Sequence, residues 1–136
     1  MTSEIKYLGD LRTEAIHLKS GEKIITDPPI DNQGKGEAFS PTDLLATSLG
    51  NCMLTIMGIA ARTHGIDITG TTCSINKIMA AEPRRVSEIE AIINLPKNYE
   101  DKEKKILEHA ALTCPVYYSL HPDLKKTISF NYYASA

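Results

Sequence analysis

Residues 40–65 read SPTDLLATSLGNCMLTIMGIAARTHG, and this stretch decides the fold. Ser40 can cap a helix, Pro41 suits its first position, and Asp43 places a carboxylate near the positive helix end. No charged residue follows until Arg62, and Gly65 is a suitable residue for the C-terminal cap. These signals predict one long helix from Pro41 to His64.

The predicted helix is apolar on nearly every side, which is typical of a helix that is buried all round. We expect a sheet of the same chain and a second subunit to bury it. Gly50 and Gly58 each cost a helix about 1 kcal/mol relative to alanine. Close packing would explain both glycines.

Three short strands are predicted before this helix, over residues 3–9, 11–19 and 22–27, with Ser20-Gly21 as a hairpin turn. Residues 28–39 carry two prolines and two glycines and are predicted to form a loop that is long for so compact a domain.

After the helix, two longer strands are predicted over 66–81 and 84–95, with a turn at Glu82-Pro83. A second helix from Tyr99 to Leu112 follows. The chain then turns through a short helix at Cys114-Pro115 and ends in a strand from Leu124 to Ala134. The order βββ-α-ββ-α-α-β is that of an α+β fold.

Composition restricts the function classes. The chain has 136 residues and a net charge of -2, and we predict a single domain over 1–136. No basic stripe suggests nucleic-acid binding. The N-terminus lacks a signal-peptide pattern. Because we see no continuous run of about 18 apolar residues, we expect no segment to cross a bilayer. The sequence therefore predicts a cytoplasmic protein with neither a nucleic-acid nor a membrane partner.

The three cysteines, Cys52, Cys73 and Cys114, are too few and too widely spaced for a secreted disulfide framework. Cys52 lies inside the apolar helix, where it could be a small core residue or, with a cation nearby, a reactive thiol. Cys114 precedes a proline at a helix start, where N–H groups stabilise a thiolate. Cys73 is predicted to serve packing.

No metal or organic cofactor is predicted. The four histidines are dispersed and lack the compact ligand pairs of a zinc site. Chemistry is therefore expected to rest on the cysteines.

Several segments carry a family resemblance: YLGDLRTE (7–14), DNQGKGEAFSPTDLL (31–45), SPTDLLATSLGNCMLTIMGIAARTHGIDI (40–68) and LTCPVYYSLHPDL (112–124). With these motifs around Cys52 and Cys114, the chain resembles the OsmC/Ohr family of osmotically inducible and organic hydroperoxide resistance proteins. Its resemblance is to the less characterised OsmC-like branch.

The resemblance implies an intertwined homodimer in which antiparallel sheets wrap a long buried central helix. It also implies a thiol-dependent peroxidase. Cys52 matches the peroxidatic cysteine, Cys114 the resolving cysteine, and Arg12 the arginine that holds the thiolate. An organic hydroperoxide would be the substrate, and an external dithiol, for example of the lipoyl type, the reductant. From composition, we expect apolar walls that favour bulky organic hydroperoxides over hydrogen peroxide, formed by Leu49, Met53, Ile56, Tyr117 and Tyr118.

One position departs from the family pattern. Better-characterised members carry a glutamate directly after the helix-start proline, where it holds the arginine. Thr42 occupies this position here, and Asp43 follows one residue later. Because one residue turns a helix by about 100°, Asp43 is expected to cap its own helix instead. Thr42 and Asp43 are thus only supporting candidates.

Two non-enzymatic functions remain as alternatives. The cysteines could line a pocket that binds a small apolar or electrophilic ligand. Alternatively, their oxidation could itself be the signal of a redox-sensing stress protein.

Overall fold

The structure, a computed structural model, describes residues 1–133. Its elements follow the predicted α+β order, with one additional 3-10 turn. The chain divides between Leu45 and Ala46 into two compact units, which are described in turn. One domain over residues 1–136 stays a prediction.

The first unit is an antiparallel sheet in the order β1-β2-β3. Its strands are β1 (Ser3–Gly9), β2 (Arg12–His17) and β3 (Lys23–Thr26), and a 3-10 turn covers Ile30–Asn32. β2 ends two residues earlier than predicted. The reason is that Gly21, at a φ of +79°, closes the hairpin by donating its N–H to the last carbonyl of β2 at 2.7 Å.

The loop after β3 folds back on itself. The Gly36 N–H donates to the Pro28 carbonyl at 3.2 Å, and the Asp27 N–H donates to the Phe39 carbonyl at 3.1 Å. Gly34 lies so close to Pro28 that a Cβ at position 34 would stand 1.8 Å from the proline carbonyl oxygen. The predicted loop is confirmed, and its backbone bonds give it a definite shape.

Helix α1 covers Pro41–Thr63, one residue short of the predicted end. Its start is a reciprocal capping pair. The Asp43 N–H donates to Ser40 Oγ at 3.0 Å, and the Ser40 N–H donates to Asp43 Oδ2 at 3.0 Å. Gly65, at a φ of +66°, follows the helix end as predicted.

Over residues 1–133, the single chain buries one face of α1, and burial of the other face by a second subunit stays a prediction. The other side keeps large apolar residues in contact with solvent, for example Leu45, 42% exposed, and Ile59, 57% exposed. One chain supplies partners for one face only. The buried residues recur at intervals of three and four: Ala46, Leu49, Gly50, Met53, Met57 and Ala61.

By its length and composition alone, α1 could cross a bilayer, so the expectation that no apolar segment is long enough was wrong. An 18-residue stretch of α1 has a mean hydropathy of 1.6, because its polar residues, such as Thr47 and Ser48, are uncharged. Core helices of soluble proteins meet the same criterion. One third of this stretch (33%) is buried inside the chain.

The second unit is a sheet in the order β4-β5-β6. Its strands are β4 (Thr72–Ala80), β5 (Arg85–Leu95) and β6 (Lys125–Tyr132). The predicted last strand is thereby confirmed over most of its length, and Ala134 lies outside the described residues.

This sheet corrects the expectation of purely antiparallel sheets. β4 and β5 are antiparallel, but β5 and β6 are parallel. Parallel neighbours need a long crossover, and the connection over residues 96–124 provides it. It contains α2 (Asp101–Leu112) and α3 (Pro115–Ser119).

Strand β4 begins six residues later than predicted because residues 66–71 form a turn. Asp67 Oδ1 accepts the Thr69 N–H at 2.9 Å, and Gly70 adopts a φ of +93°. An aspartate that accepts a backbone N–H two residues ahead favours a turn over an extended strand.

Helix α2 begins two residues later than predicted. Glu100 and Glu103 form a capping box, in which the Glu100 N–H donates to Glu103 Oε1 at 3.1 Å. Tyr99 stays outside the helix and donates its hydroxyl to the Asp67 carbonyl at 2.7 Å.

The buried face of α1 packs with the inner face of the second sheet and with α2 in one core. Gly50 permits a close approach: a Cβ there would lie 3.2 Å from Cys73 Sγ and 3.2 Å from Ile75 Cδ1. Close packing is therefore confirmed at Gly50. At Gly58 a Cβ would meet no described atom within 4 Å. The largest fully buried apolar side chains are Leu49, Met53, Met57, Ile89, Ile93, Leu95 and Leu107.

Gly50→Val is expected to lower the free energy of unfolding by about 1–3 kcal/mol, because the added methyl groups overpack the contact with β4. Gly58→Val is the matched control on the same helix and should change it by less than about 0.5 kcal/mol. Urea denaturation measures both. Equal effects of the two variants would contradict the packing account.

Candidate active site

Cys52 lies about halfway along α1, where its half-buried side chain packs against the core. It stands next to Met53 on the helix, but Met53 is completely buried. Cys52 therefore sits at the border of the buried stripe, with part of its side chain open.

Cys114 lies where α2 has ended and α3 begins. It is the N-cap residue of α3, with extended backbone (φ -75°, ψ 152°) and Pro115 at the first helical position. The predicted helix start is thus confirmed. The side chain of Cys114 is fully buried, at 0% exposed.

The two cysteines are brought together although 61 residues lie between them in the sequence. The Cys52 side chain lies close enough to raise the pKa of Cys114, through a hydrogen bond and through the charge that a Cys52 thiolate would carry. The fold thus pairs the two sulfurs that the sequence singled out, while their individual roles stay predictions.

The environment of Cys114 corrects one expectation. Burial raises the pKa of Cys114 above its ordinary value, and the interaction with Cys52 raises it further. The N–H groups of Tyr117 and Val116 lower it, as the helix start predicted, but the thiol makes no full capping hydrogen bond. Desolvation outweighs them, so Cys114 is held as a neutral thiol.

Cys73 fits its predicted packing role. It is half-buried on β4, packs against the core and faces the Gly50 backbone. Burial raises the pKa of its thiol, which makes it a poor nucleophile at neutral pH.

Arg12, at the start of β2, is held by two carboxylates of the first unit. Its Nε donates to Asp27 Oδ1 at 2.8 Å and its Nη2 to Asp27 Oδ2 at 2.7 Å, a bidentate pair. Nη2 also donates to Glu37 Oε2 at 2.9 Å. The guanidinium is therefore fixed in orientation and stays charged.

Asp27 and Glu37 were missed by the sequence analysis. Asp27 is 1% exposed and Glu37 is 65% exposed, so the first is a built-in partner and the second a surface one. The register of the hairpin could have indicated Asp27. Thr13 pairs with Thr26, and continuing this antiparallel register by one residue places Arg12 opposite Asp27. The hydrogen bond from Arg12 holds the pKa of Asp27 below its ordinary value of 3.8.

Thr42 and Asp43 both lie in the first turn of α1. Asp43 forms the capping pair with Ser40, which confirms the prediction that it caps its own helix. The hydroxyls of Thr42 and Ser40 lie 3.2 Å apart.

The side chains expected as apolar walls divide into two groups. Leu49 and Met53 are wholly in the core and present no surface. Ile56 and Tyr117 are half-buried against the core, and Tyr118 is 70% exposed.

Cys52 and Cys114 do not line either of two open cavities found on the described part of the chain. One, of about 470 Å³, lies between the end of α1 and the turn before β4; the other, of about 370 Å³, is formed by Gly36–Phe39 and Asp43. Over residues 1–133, no three His, Cys, Asp or Glu side chains are grouped as metal ligands would be.

Asp27→Asn is expected to destabilise the protein at neutral pH, because it leaves the Arg12 charge without its buried partner. The pKa of Asp27 is lowered by folding, so the unfolded chain binds its proton more readily and this stabilisation is lost as the pH falls below about 4. The difference from wild type should therefore narrow between about pH 5 and 2 in urea denaturation.

Glu4→Gln, on the exposed part of β1, is the control for the loss of one carboxylate. A difference between Asp27→Asn and wild type that stays constant down to about pH 2 would contradict the assigned ion pair.

The model of the OsmC family, described as OsmC-like protein, matches residues 34–129 of this chain. A crystal structure of a protein from Psychrobacter arcticus 273-4, provisionally described as an osmotic stress induced and detoxification response protein, is 59% identical to this chain. It covers 96% of this chain and 95% of its own, with a TM-score of 0.93. Comparison with curated proteins finds no significant match.

More distant structures share the fold. An organic hydroperoxide resistance protein OsmC from Legionella pneumophila is 15% identical, with 96% and 97% of the two chains covered and a TM-score of 0.75. Another structure, provisionally described as an organic hydroperoxide resistance protein from Vibrio cholerae, has captopril bound in one of its active sites. It is 13% identical to this chain, with 96% of this chain and 92% of its own covered and a TM-score of 0.71.

At these low identities, the Legionella and Vibrio structures show the fold alone. The family match over residues 34–129 and the 59% identity to the Psychrobacter protein show more: this chain belongs to the OsmC-like family.

Proposed function

We propose that this protein is a thiol-dependent peroxidase that reduces organic hydroperoxides through Cys52 and Cys114. The observation that carries the proposal is that the two side chains, both packed in the core of the second unit, lie within hydrogen-bonding reach of each other. Cysteines that serve only to fill space in a core need not lie next to each other. A sulfenic acid, in contrast, needs a second thiol within reach to form a disulfide.

The environments of the two sulfurs support different roles. Cys114 is completely buried, and both burial and the neighbouring Cys52 keep its pKa raised. It is therefore the proton-bearing partner, which suits a resolving thiol. Cys52 is partly open, which suits the residue that meets a peroxide first.

The proposed reaction has three steps. The Cys52 thiolate attacks one peroxide oxygen, the O–O bond breaks, and the alcohol leaves after taking up a proton. Cys52 is then a sulfenic acid. Cys114 attacks its sulfur, and the hydroxyl leaves as water with the Cys114 proton, which leaves a Cys52–Cys114 disulfide. An external dithiol returns both thiols and is itself oxidised to a disulfide.

Arg12 is proposed as the cation that favours the Cys52 thiolate and polarises the peroxide, as the family resemblance implies. This role is supported by the fixed orientation of the Arg12 side chain. Asp27 and Glu37 hold Nε and Nη2, so the remaining edge of the guanidinium is fixed in one direction. Asp27 would then hold the arginine, as a glutamate does in other members at the position that Thr42 occupies here.

A homodimer is part of the proposal. Ile5, Ala15 and Ile24 lie side by side across the first sheet, and Ile5 and Ile24 are 67% and 52% exposed. The unburied face of α1 adds Ile59. Burying such apolar surfaces against a second copy would remove them from water. A cytoplasmic location, where dithiol reductants operate, is likewise proposed.

The relatives support a peroxide-related stress function at the level of the family. The Psychrobacter protein is described by its detoxification response, and the Legionella and Vibrio proteins by organic hydroperoxide resistance. The ligand-binding and redox-sensing alternatives use the same cysteines and differ in lacking turnover.

Wild-type protein should consume cumene hydroperoxide continuously with dihydrolipoamide as reductant. Cys52→Ser should lose at least about 100-fold in rate, because the nucleophile is gone. Cys114→Ser should react once and then slow, because the sulfenic acid has no internal partner. Peroxide consumption and intact mass measure these outcomes.

Cys73→Ser is the matched control and should keep wild-type turnover. Absence of turnover in the wild type would favour the binding or sensing functions. Full activity in Cys52→Ser would refute the assignment of the nucleophile.

A further inference from the structure

Strand β6 carries a lysine where its pattern calls for an apolar residue. Its side chains alternate between exposed and half-buried, and the half-buried series comprises Lys126, Ile128, Phe130 and Tyr132. Lys126 also pairs in register with Ile89, which is completely buried. An ammonium group on this inner face is costly unless it has partners.

The described partners of Lys126 belong to α3 and to the segment that follows it. Its Nζ donates to the Leu124 carbonyl at 3.1 Å and to the His121 carbonyl at 3.4 Å. It also lies 5.2 Å from the centre of the Tyr117 ring, over its face. One side chain therefore ties β6 to both the body of α3 and the backbone that follows it.

Helix α3 needs such a tie. It has only five residues, Pro115–Ser119, and none of them is fully buried. A single helical turn is not stable by itself. At its two ends the Tyr118 N–H donates to the Cys114 carbonyl at 3.3 Å and the Leu120 N–H donates to the Val116 carbonyl at 3.1 Å, and the Ser119 hydroxyl donates to the Pro115 carbonyl at 2.8 Å.

The position of Cys114 depends on this turn. Cys114 is its N-cap, and its carbonyl accepts the first bond of the helix. The N–H of Tyr117, the residue under the Lys126 ammonium, acts on the Cys114 sulfur. A shift of Tyr117 would thus move the backbone that places the resolving thiol.

We propose that Lys126 is a positioning residue for Cys114: by clamping Tyr117 and the α3–β6 connection, it holds the thiol where it can attack an oxidised Cys52. This inference rests on the proposed function. It assigns the second step, disulfide formation, and leaves the first step to Cys52. Lys126 acts through the backbone of α3 and is not itself a reacting group.

The test separates the two chemical steps. Protein is mixed with one equivalent of cumene hydroperoxide without reductant, and dimedone trapping with mass spectrometry follows the Cys52 sulfenic acid and the disulfide in time. In Lys126→Met, sulfenic acid should form at the wild-type rate, but the disulfide should form about five- to tenfold more slowly, because reacting groups are sensitive to small displacements.

The slower step has a second signature. A longer-lived sulfenic acid meets more peroxide, so Lys126→Met should accumulate more Cys52 sulfinic acid than wild type under excess hydroperoxide. Lys126→Arg keeps a cation that can stack on the ring and donate to carbonyls, and should restore the rate to within about twofold. Lys125→Met, an exposed lysine of the same strand, should match wild type.

A purely structural lysine would lower the melting temperature without changing the partition between disulfide and sulfinic acid. Equal disulfide rates in folded Lys126→Met and wild type would therefore overturn the inference. If Lys126→Met does not fold, Tyr117→Leu removes the ring contact and should slow the disulfide step in the same direction. An unchanged rate there would overturn it equally.

A peroxide-independent measurement keeps this inference distinct from the proposed function. In a glutathione redox buffer, the Cys52–Cys114 disulfide should be at least about threefold less favoured in Lys126→Met than in wild type, as expected for a lower effective concentration of the two thiols. Wild type inert to hydroperoxide would refute the peroxidase alone. Equal glutathione equilibria would refute the role of Lys126 alone.

Discussion

The burial of α1 is the constraint on which the second unit depends. Between Asp43 and Arg62 the helix carries no charge, and one of its faces must be removed from water. The inner face of the β4-β5-β6 sheet and α2 provide the cover. Since Gly50 lets β4 approach the helix closely, the sheet fixes the helix at the turn that precedes Cys52. The place of the candidate nucleophile thus follows from packing.

Packing also determines the chemistry of the second thiol. The parallel pairing of β5 and β6 requires a long crossover, and that crossover delivers Cys114 into the same core. Burial there raises the pKa of Cys114 and outweighs the helix-start N–H groups that favour its thiolate. Two cysteines of one pair are therefore placed in unlike surroundings, one partly open and one closed. Such a difference is what a nucleophile and its resolving partner require.

Much of this was predictable from the residues. The capping signals at Ser40 and Asp43 located the start of α1, and the Cys-Pro pair located α3. The prediction of the strand start near Ile66 was wrong because the Asp67 turn is a local side-chain effect that periodicity does not show. The parallel pairing of β6 depends on long-range contacts and left no local pattern. The net pKa direction of Cys114 depended on burial, which only the fold reveals.

The carboxylates around Arg12 show a different limit. The family pattern directed attention to the helix start, but Asp43 is used there as a cap, and Asp27, directly after the neighbouring strand β3, holds the arginine instead. Lys126 was overlooked for a related reason, because a lysine in an alternating strand is ordinarily a solvent-facing residue. The contacts of Arg12 with Asp27 and of Lys126 with Tyr117 are made by the folded chain, and no short sequence motif marks either of them.

The central claim is that Cys52 and Cys114 form one redox pair. Peptide mapping under non-reducing conditions, after one equivalent of cumene hydroperoxide, tests it most directly. The account predicts an intramolecular link between the peptides that contain Cys52 and Cys114, a loss of about 2 Da from the chain, and a free thiol at Cys73. A disulfide that includes Cys73, or a Cys52 that is oxidised while Cys114 stays a free thiol, would contradict it.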